Sequence, residues 1–171
     1  MKMIFAFLVT TSLLAGCATY KPSIPEGYVG PKATIEDSVK TYSSSKADFF
    51  YVSQVDGAEI ENSRNKTLLV NRGRGMDMSP VVLHHDIPAR PIALSIVGRT
   101  EYAAPILALT SDVYEVKGVI EFTPEPNKKY IVRGELGDTY SAVWVEDEST
   151  NSLVDKKVEV KGSAKLGVFD K

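Results

Sequence analysis

The chain has 171 residues, of which 43% are hydrophobic and 25% charged, and a formal net charge of −2. That balance excludes a disordered chain, gives no electrostatic footprint for nucleic acid or an anionic surface, and with this length fits one domain. The single cysteine, Cys17, excludes an intramolecular disulfide, so the body must be held together by its core.

Residues 1–16 read as a secretory signal peptide. Lys2 supplies a positive charge, and Ile4 to Leu14 is an apolar run interrupted only by Thr10, Thr11 and Ser12. The run is well short of the roughly 20 residues that a bilayer-spanning helix needs. It ends in the small pair Ala15-Gly16, followed directly by Cys17. Leu14-Ala15-Gly16-Cys17 resembles the lipobox of bacterial lipoproteins. The resemblance implies cleavage between Gly16 and Cys17, diacylglycerol on the Cys17 thiol, and acylation of the new amino terminus. Two or more acyl chains hold a protein stably on a membrane. The competing reading of Cys17, a buried or pairing thiol, lacks a second cysteine to pair with. Ala18 stands where Asp retains similar lipoproteins in the inner membrane. The resemblance therefore implies the outer membrane, with the body facing the periplasm.

Ala18 to Gly30 contains Pro22, Pro25, Gly27 and Gly30 without apolar periodicity, so residues 17–32 read as the lipidated cysteine and a flexible tether. Residues 33–171 are expected to form the single domain. In Ala33 to Val39, Ala33, Ile35 and Asp37 alternate with Thr34, Glu36 and Ser38, a modest strand pattern. Phe49 to Val55 is aromatic and β-branched and stops at Asp56-Gly57, a hairpin signal. Asn62 to Lys66 reads as a polar loop and Thr67 to Val70 as a brief strand. Asn71 to Pro80, with Arg72, Gly73, Arg74 and Gly75, reads as a surface loop. It lacks the Gly-Lys-Ser/Thr ending and the following helix of a phosphate-binding loop.

His84 and His85 are the only histidines. Neighbours on a strand point to opposite faces, so the expectation is a solvated pair beside a turn, with no metal and no cofactor. After the Pro88 to Pro91 turn, Ile92, Leu94 and Ile96 share one face of a strand. Tyr102 to Leu109 contains Pro105 and reads as an edge strand or an irregular segment. Tyr114, Val116, Ile120 and Phe122 alternate with Glu115, Lys117 and Glu121, the clearest strand in the chain. Tyr130 to Leu136 and Tyr140 to Val145 follow, separated by Gly137-Asp138. Glu148 to Asn151 closes a hairpin into Leu153-Val154, and Val158 and Val160 suggest a last strand. Short strands spaced by turns predict an all-β sandwich, immunoglobulin-like or transthyretin-like in outline, with a small barrel as the alternative.

No catalytic residue is assigned, because no Gly-x-Ser-x-Gly motif or recognisable nucleophile–base pair occurs. Glu146-Asp147-Glu148 reads as a solvated acidic corner. Trp144 and Tyr130 are expected in the sandwich core, opposite Tyr114 to Phe122; the alternative puts them around a glycan or peptide site. The order of Val55-Asp56-Gly57, Phe122-Thr123-Pro124 and Tyr130-Ile131-Val132 before Ala142-Val143-Trp144 is similar to small envelope lipoproteins of Gram-negative bacteria, over Phe49 to Val154. The expected function is non-enzymatic: a membrane-anchored lipoprotein binding another envelope protein or supporting a surface assembly, with no nucleic-acid partner. A module for a small ligand, glycan or peptidoglycan is the alternative, and an envelope hydrolase stands behind it.

Overall fold

The computed structural model describes residues 20–171. Leu14 to Cys17, and with them the expected cleavage and lipid-attachment positions Gly16 and Cys17, lie outside the described residues. Ten strands and two short helices follow one another: β1 (Lys32–Glu36), β2 (Ser38–Ser43), β3 (Lys46–Val55), β4 (Ala58–Glu59), α1 (Ser63–Val70), β5 (His84–Pro88), β6 (Ile92–Tyr102), α2 (Pro105–Thr110), β7 (Glu115–Phe122), β8 (Lys129–Glu135), β9 (Tyr140–Asp147) and β10 (Ser152–Lys161).

They build an all-β sandwich. The first sheet has the order β10-β9-β8-β1-β5; the second runs β2-β3-β6-β7, with β4 added to β3. Neighbours are antiparallel except β1 and β8, where Thr34, Ile35 and Glu36 pair in parallel with Lys129, Tyr130 and Ile131. Two sheets with free edges, rather than one closed on itself, remove the barrel alternative.

The core lies between the sheets because each inner strand alternates. Ile35, Val132, Val143 and Val145 come from the first sheet, and Phe50, Val52, Leu94, Ile96, Val116 and Ile120 from the second. The sheets approach closely at Gly134, where an added Cβ would overlap the Phe50 ring. The Asp56-Gly57 hairpin forms as its sequence predicts: φ is 49° at Asp56 and 77° at Gly57, the left-handed pair that matches strand twist.

Several local expectations change. The loop and strand read from Asn62 to Val70 are the helix α1, nucleated by Asn62, whose side-chain oxygen accepts the Asn65 N–H at 3.0 Å. Pro105 starts α2 rather than interrupting a strand, since the first helical position does not need the N–H that proline lacks. The strand read from Ala33 to Val39 divides at Asp37 into β1 and β2, one in each sheet. The two short segments read around Leu153 and Val160 are one strand, with a register shift between Val154 and Val158 and Asp155 at φ 60°.

Residues 20–31 lie on the body. The Lys21 N–H donates to the Glu59 carbonyl at 2.8 Å, the Ser23 hydroxyl to the Asp86 carbonyl at 2.7 Å, and the Asn65 side-chain amide to the Tyr20 hydroxyl at 2.8 Å. Proline and glycine in this stretch set its turns without freeing it from the surface.

Candidate functional site

The outer face of β8, β9 and β10 carries the chain's only tryptophan, and it overturns the core expectation for that residue. Val143 and Val145 point inward, so alternation sends Trp144 outward, half-buried on the sheet surface. Tyr130 does enter the core, at 4% exposure, against Phe122. Around the indole the sheet register brings together residues far apart in sequence: Arg133 lies opposite Trp144, and Glu146 is flanked by Ile131 and Leu153.

Polar groups hold the indole in place. Its Nε1–H donates to Glu146 Oε1 at 2.7 Å, and Arg133 Nε stands 3.7 Å from the other Glu146 oxygen. The Lys157 ammonium sits 3.7 Å from the indole centroid, over the negative face of the ring. An aromatic side chain with cations and a carboxylate in fixed positions beside exposed Leu153 can bind by stacking, charge and hydrogen bonding. Nothing in this group makes it a nucleophile.

The acidic corner divides into three environments. Glu148 is exposed and Glu146 belongs to the indole cluster, whereas Asp147 is 6% exposed. The Ser149 hydroxyl and then Lys128, at 3.0 Å, hold its carboxyl down near 2. Asp147 is a turn-fixing residue, which corrects the expectation of a solvated run for this position.

A second cluster escaped the sequence reading. Asp37, wholly buried, accepts the Val52 N–H on one oxygen at 3.0 Å and the Ser63 N–H on the other at 2.8 Å. His85 Nε2 is 4.0 Å from that second oxygen, buried and without a hydrogen-bond partner among the described residues. The Ser63 hydroxyl accepts the Leu83 N–H at 2.8 Å. His84 is exposed, but His85 faces inward, so the expected solvated pair is one solvated and one enclosed histidine. Strand alternation explains the split: Ile35 and His85 are register partners on the inner side of the sheet.

Burial pushes the Asp37 carboxyl up to about 7, against the pull of its Ser63 and Val52 donors. Burial also lowers the pKa of His85, as does its neighbour His84. Serine, histidine and aspartate thus meet, but the aspartate spends both oxygens on backbone N–H groups, one from Val52 in β3 and one from Ser63 at the start of α1. Ser63 and Asp37 are each 0% exposed. The cluster pins α1 and the β1–β2 crossover together; it lacks the nucleophile–base contact of a hydrolase. Its sequence signal was Asp37 itself, a carboxylate on the apolar face of Ala33 and Ile35.

The Gly/Arg loop is a surface loop. Asn71 organises it by donating to the Thr67 and Ser79 carbonyls and accepting the Ser79 N–H, and Gly73 and Gly75 take φ of 82° and 70°. Among the described residues no group of three or more His, Cys, Asp or Glu side chains is placed to hold a metal. No helix there is long and apolar enough to cross a membrane. No protein-family model matches the chain, and no curated protein or solved structure is significantly similar to it.

Proposed function

We propose that the chain is a lipid-anchored, non-enzymatic envelope protein whose body binds another envelope protein through the outer face of β8, β9 and β10. The observation that carries the binding reading is the outward position of Trp144 among Arg133, Glu146, Lys157 and Leu153. Tryptophan and arginine dominate the energetic centres of protein interfaces. The same geometry favours protein over sugar, because the Lys157 ammonium already occupies a face of the ring on which a sugar would stack. The Leu14-Ala15-Gly16-Cys17 motif supports the anchor, and Ala18 in place of Asp supports the outer-membrane location.

The test is a photocrosslinking residue at Leu153 in intact cells. One discrete adduct, lost when Trp144→Ala is added, is the expected result. A glycan or peptidoglycan fragment that quenches Trp144 emission, with no protein adduct, favours the alternative ligand-binding module. The anchor is tested separately: Cys17→Ser abolishes labelling by a fatty-acid analogue and releases the protein from the outer-membrane fraction. Unchanged membrane association of that variant defeats it.

A further inference from the structure

The side of the body that carries the first described residue also carries an uncovered apolar helix end. Tyr20 is held to α1 by the Asn65 amide, and Tyr20, Asn65, Leu68, Leu69 and Arg72 line one shallow cleft. Leu68, Leu69 and Val70 close α1 at 37%, 54% and 46% exposure, a run of three apolar side chains with nothing over them among the described residues. Helices of soluble sandwiches normally turn such residues inward; α1 instead buries Ser63 and Thr67 and presents its leucines to the outside.

We propose that this surface, formed by Tyr20, Leu68, Leu69, Val70, Arg72 and Arg74, seats on the bilayer that holds the lipid anchor. The proposal rests on the anchor reading of Cys17. Only Ala18 and Thr19 separate Cys17 from Tyr20, and three steps of about 3.6 Å reach only about 11 Å in an extended chain, so the acyl chains enter the membrane close to Tyr20. Lys21 is tied to Glu59 as well, which leaves no slack on the body side of that link.

The chemistry of the patch fits an interface. Leucine and valine side chains partition into the boundary of headgroups and acyl chains, and a tyrosine ring sits at headgroup level. Arg72 and Arg74 are exposed, and neither is in an ion pair among the described residues. Arg74 gives one N–H to the Asn71 side-chain oxygen at 3.2 Å, and the remaining guanidinium donors of both face outward to anionic headgroups. The acids nearby do not cancel them: Glu61 in the cleft is paired with Lys66 at 3.2 Å, which leaves Asp77 as the loop's single carboxylate. Seating here also sets an orientation. The cleft beside Tyr20 continues past Arg64 to Tyr51 on the outer side of the second sheet, so the Trp144 face of the first sheet is turned away from the lipid.

The experiment uses full-length, acylated protein in vesicles of phosphatidylethanolamine and phosphatidylglycerol containing a phospholipid brominated on its acyl chains. Leu69→Trp in a Trp144→Phe background reports from the helix end, and native Trp144 reports from the opposite face. The expected result is blue-shifted Leu69→Trp emission, quenched at least twofold by the brominated lipid and less so when Arg72→Glu and Arg74→Glu are added, with Trp144 unquenched. An unquenched Leu69→Trp in protein that carries the fatty-acid label overturns the seating and leaves the anchor standing. That outcome includes a blue shift growing with protein concentration, which assigns the patch to a second copy. Absence of the label from Cys17 overturns the anchor reading and the seating with it.

Discussion

On the outer face of the first sheet Ile131, Arg133, Trp144, Glu146 and Leu153 meet water directly. On the outer face of the second, Phe49, Tyr51 and Val97 form a satellite core with Ala47, closed over by Met78 from the loop after α1. The Met78 N–H donates to the Ser44 carbonyl at 2.7 Å, which fixes that cover. Charge is handled differently too. On the covered side Arg64, Glu101, Arg99, Glu115 and Lys117 form one alternating chain linking α1 to β6 and β7, and most of its members are well shielded. Burial opposes ionisation of Glu115, but Arg99 and Lys117 outweigh it and hold the carboxyl below its ordinary value. The open side has only long, solvent-exposed pairs among the described residues, Arg133–Glu146 at 3.7 Å, Lys161–Glu159 at 3.6 Å and Lys32–Asp86 at 3.8 Å. A sandwich needs only its inner faces to fold. The covered outer face adds stability, and the open one leaves an aromatic group available for binding.

The comparison breaks or holds first on two aromatic truncations. Phe49 is 0% exposed, so Phe49→Ala should cost about 3–5 kcal/mol in urea unfolding, whereas Trp144→Ala on the open face should cost about 1 kcal/mol. Equal losses would mean that the indole is structural after all.

Asp37→Asn, at the crossover between the sheets, comes next. The amide can still accept one backbone N–H but opposes the other, a loss of about 1–3 kcal/mol at low pH. The folded carboxyl titrates at about 7 and the unfolded one at 3.8, so in that window the folded protein keeps a proton that the unfolded chain has released. The native advantage over Asp37→Asn should therefore be complete below about pH 4, fall as pH rises through 7 and then level off. His85 acts in the opposite sense, since its lowered pKa favours the folded state at higher pH; subtracting the variant's profile isolates Asp37. A flat difference across pH 4–7 would show that Asp37 is ionised throughout.

Glu101→Gln weakens the shielded charge chain and should cost about 1–2 kcal/mol, between the values for buried and exposed pairs, and change little with added salt. Arg133→Ala on the open face should cost less than about 0.5 kcal/mol. The smallest effect is spectroscopic. Native Trp144 should be readily quenched by acrylamide, and Lys157→Ala should shift its emission while moving stability by at most about 1 kcal/mol.

The fold was legible where alternation and turn chemistry agree. Tyr114, Val116, Ile120 and Phe122 lie on the dry side as their spacing predicts, and Asp56-Gly57 closes its hairpin. Helix α1 was obscured because its leucines face outward: its sequence shows no stripe, and the informative residue was the cap, Asn62. Trp144 was misplaced because Ala142, Val143, Trp144 and Val145 are all apolar, so periodicity cannot choose a face. The pairing of Val145 with Val154 and of Val143 with Val158 makes that choice, and it depends on the whole sheet. His85 and Asp37 required the same long-range register.

The parallel pairing of β1 with β8 has a consequence for the order in which the molecule can be built. A chain made and delivered from its amino terminus presents Ala33 and Ile35 early, yet the second neighbour of that strand lies in the last third of the sequence. Until Lys129–Glu135 arrives, β1 has one unpaired edge, and the inward side of Ile35 has no Val132 or Val145 to pack against. Closing so long a loop costs entropy before any contact repays it, which makes this a late and slow step. The first half of the protein cannot act as a separate folding unit, and an inner strand of one sheet must be kept from other partners until synthesis is nearly complete.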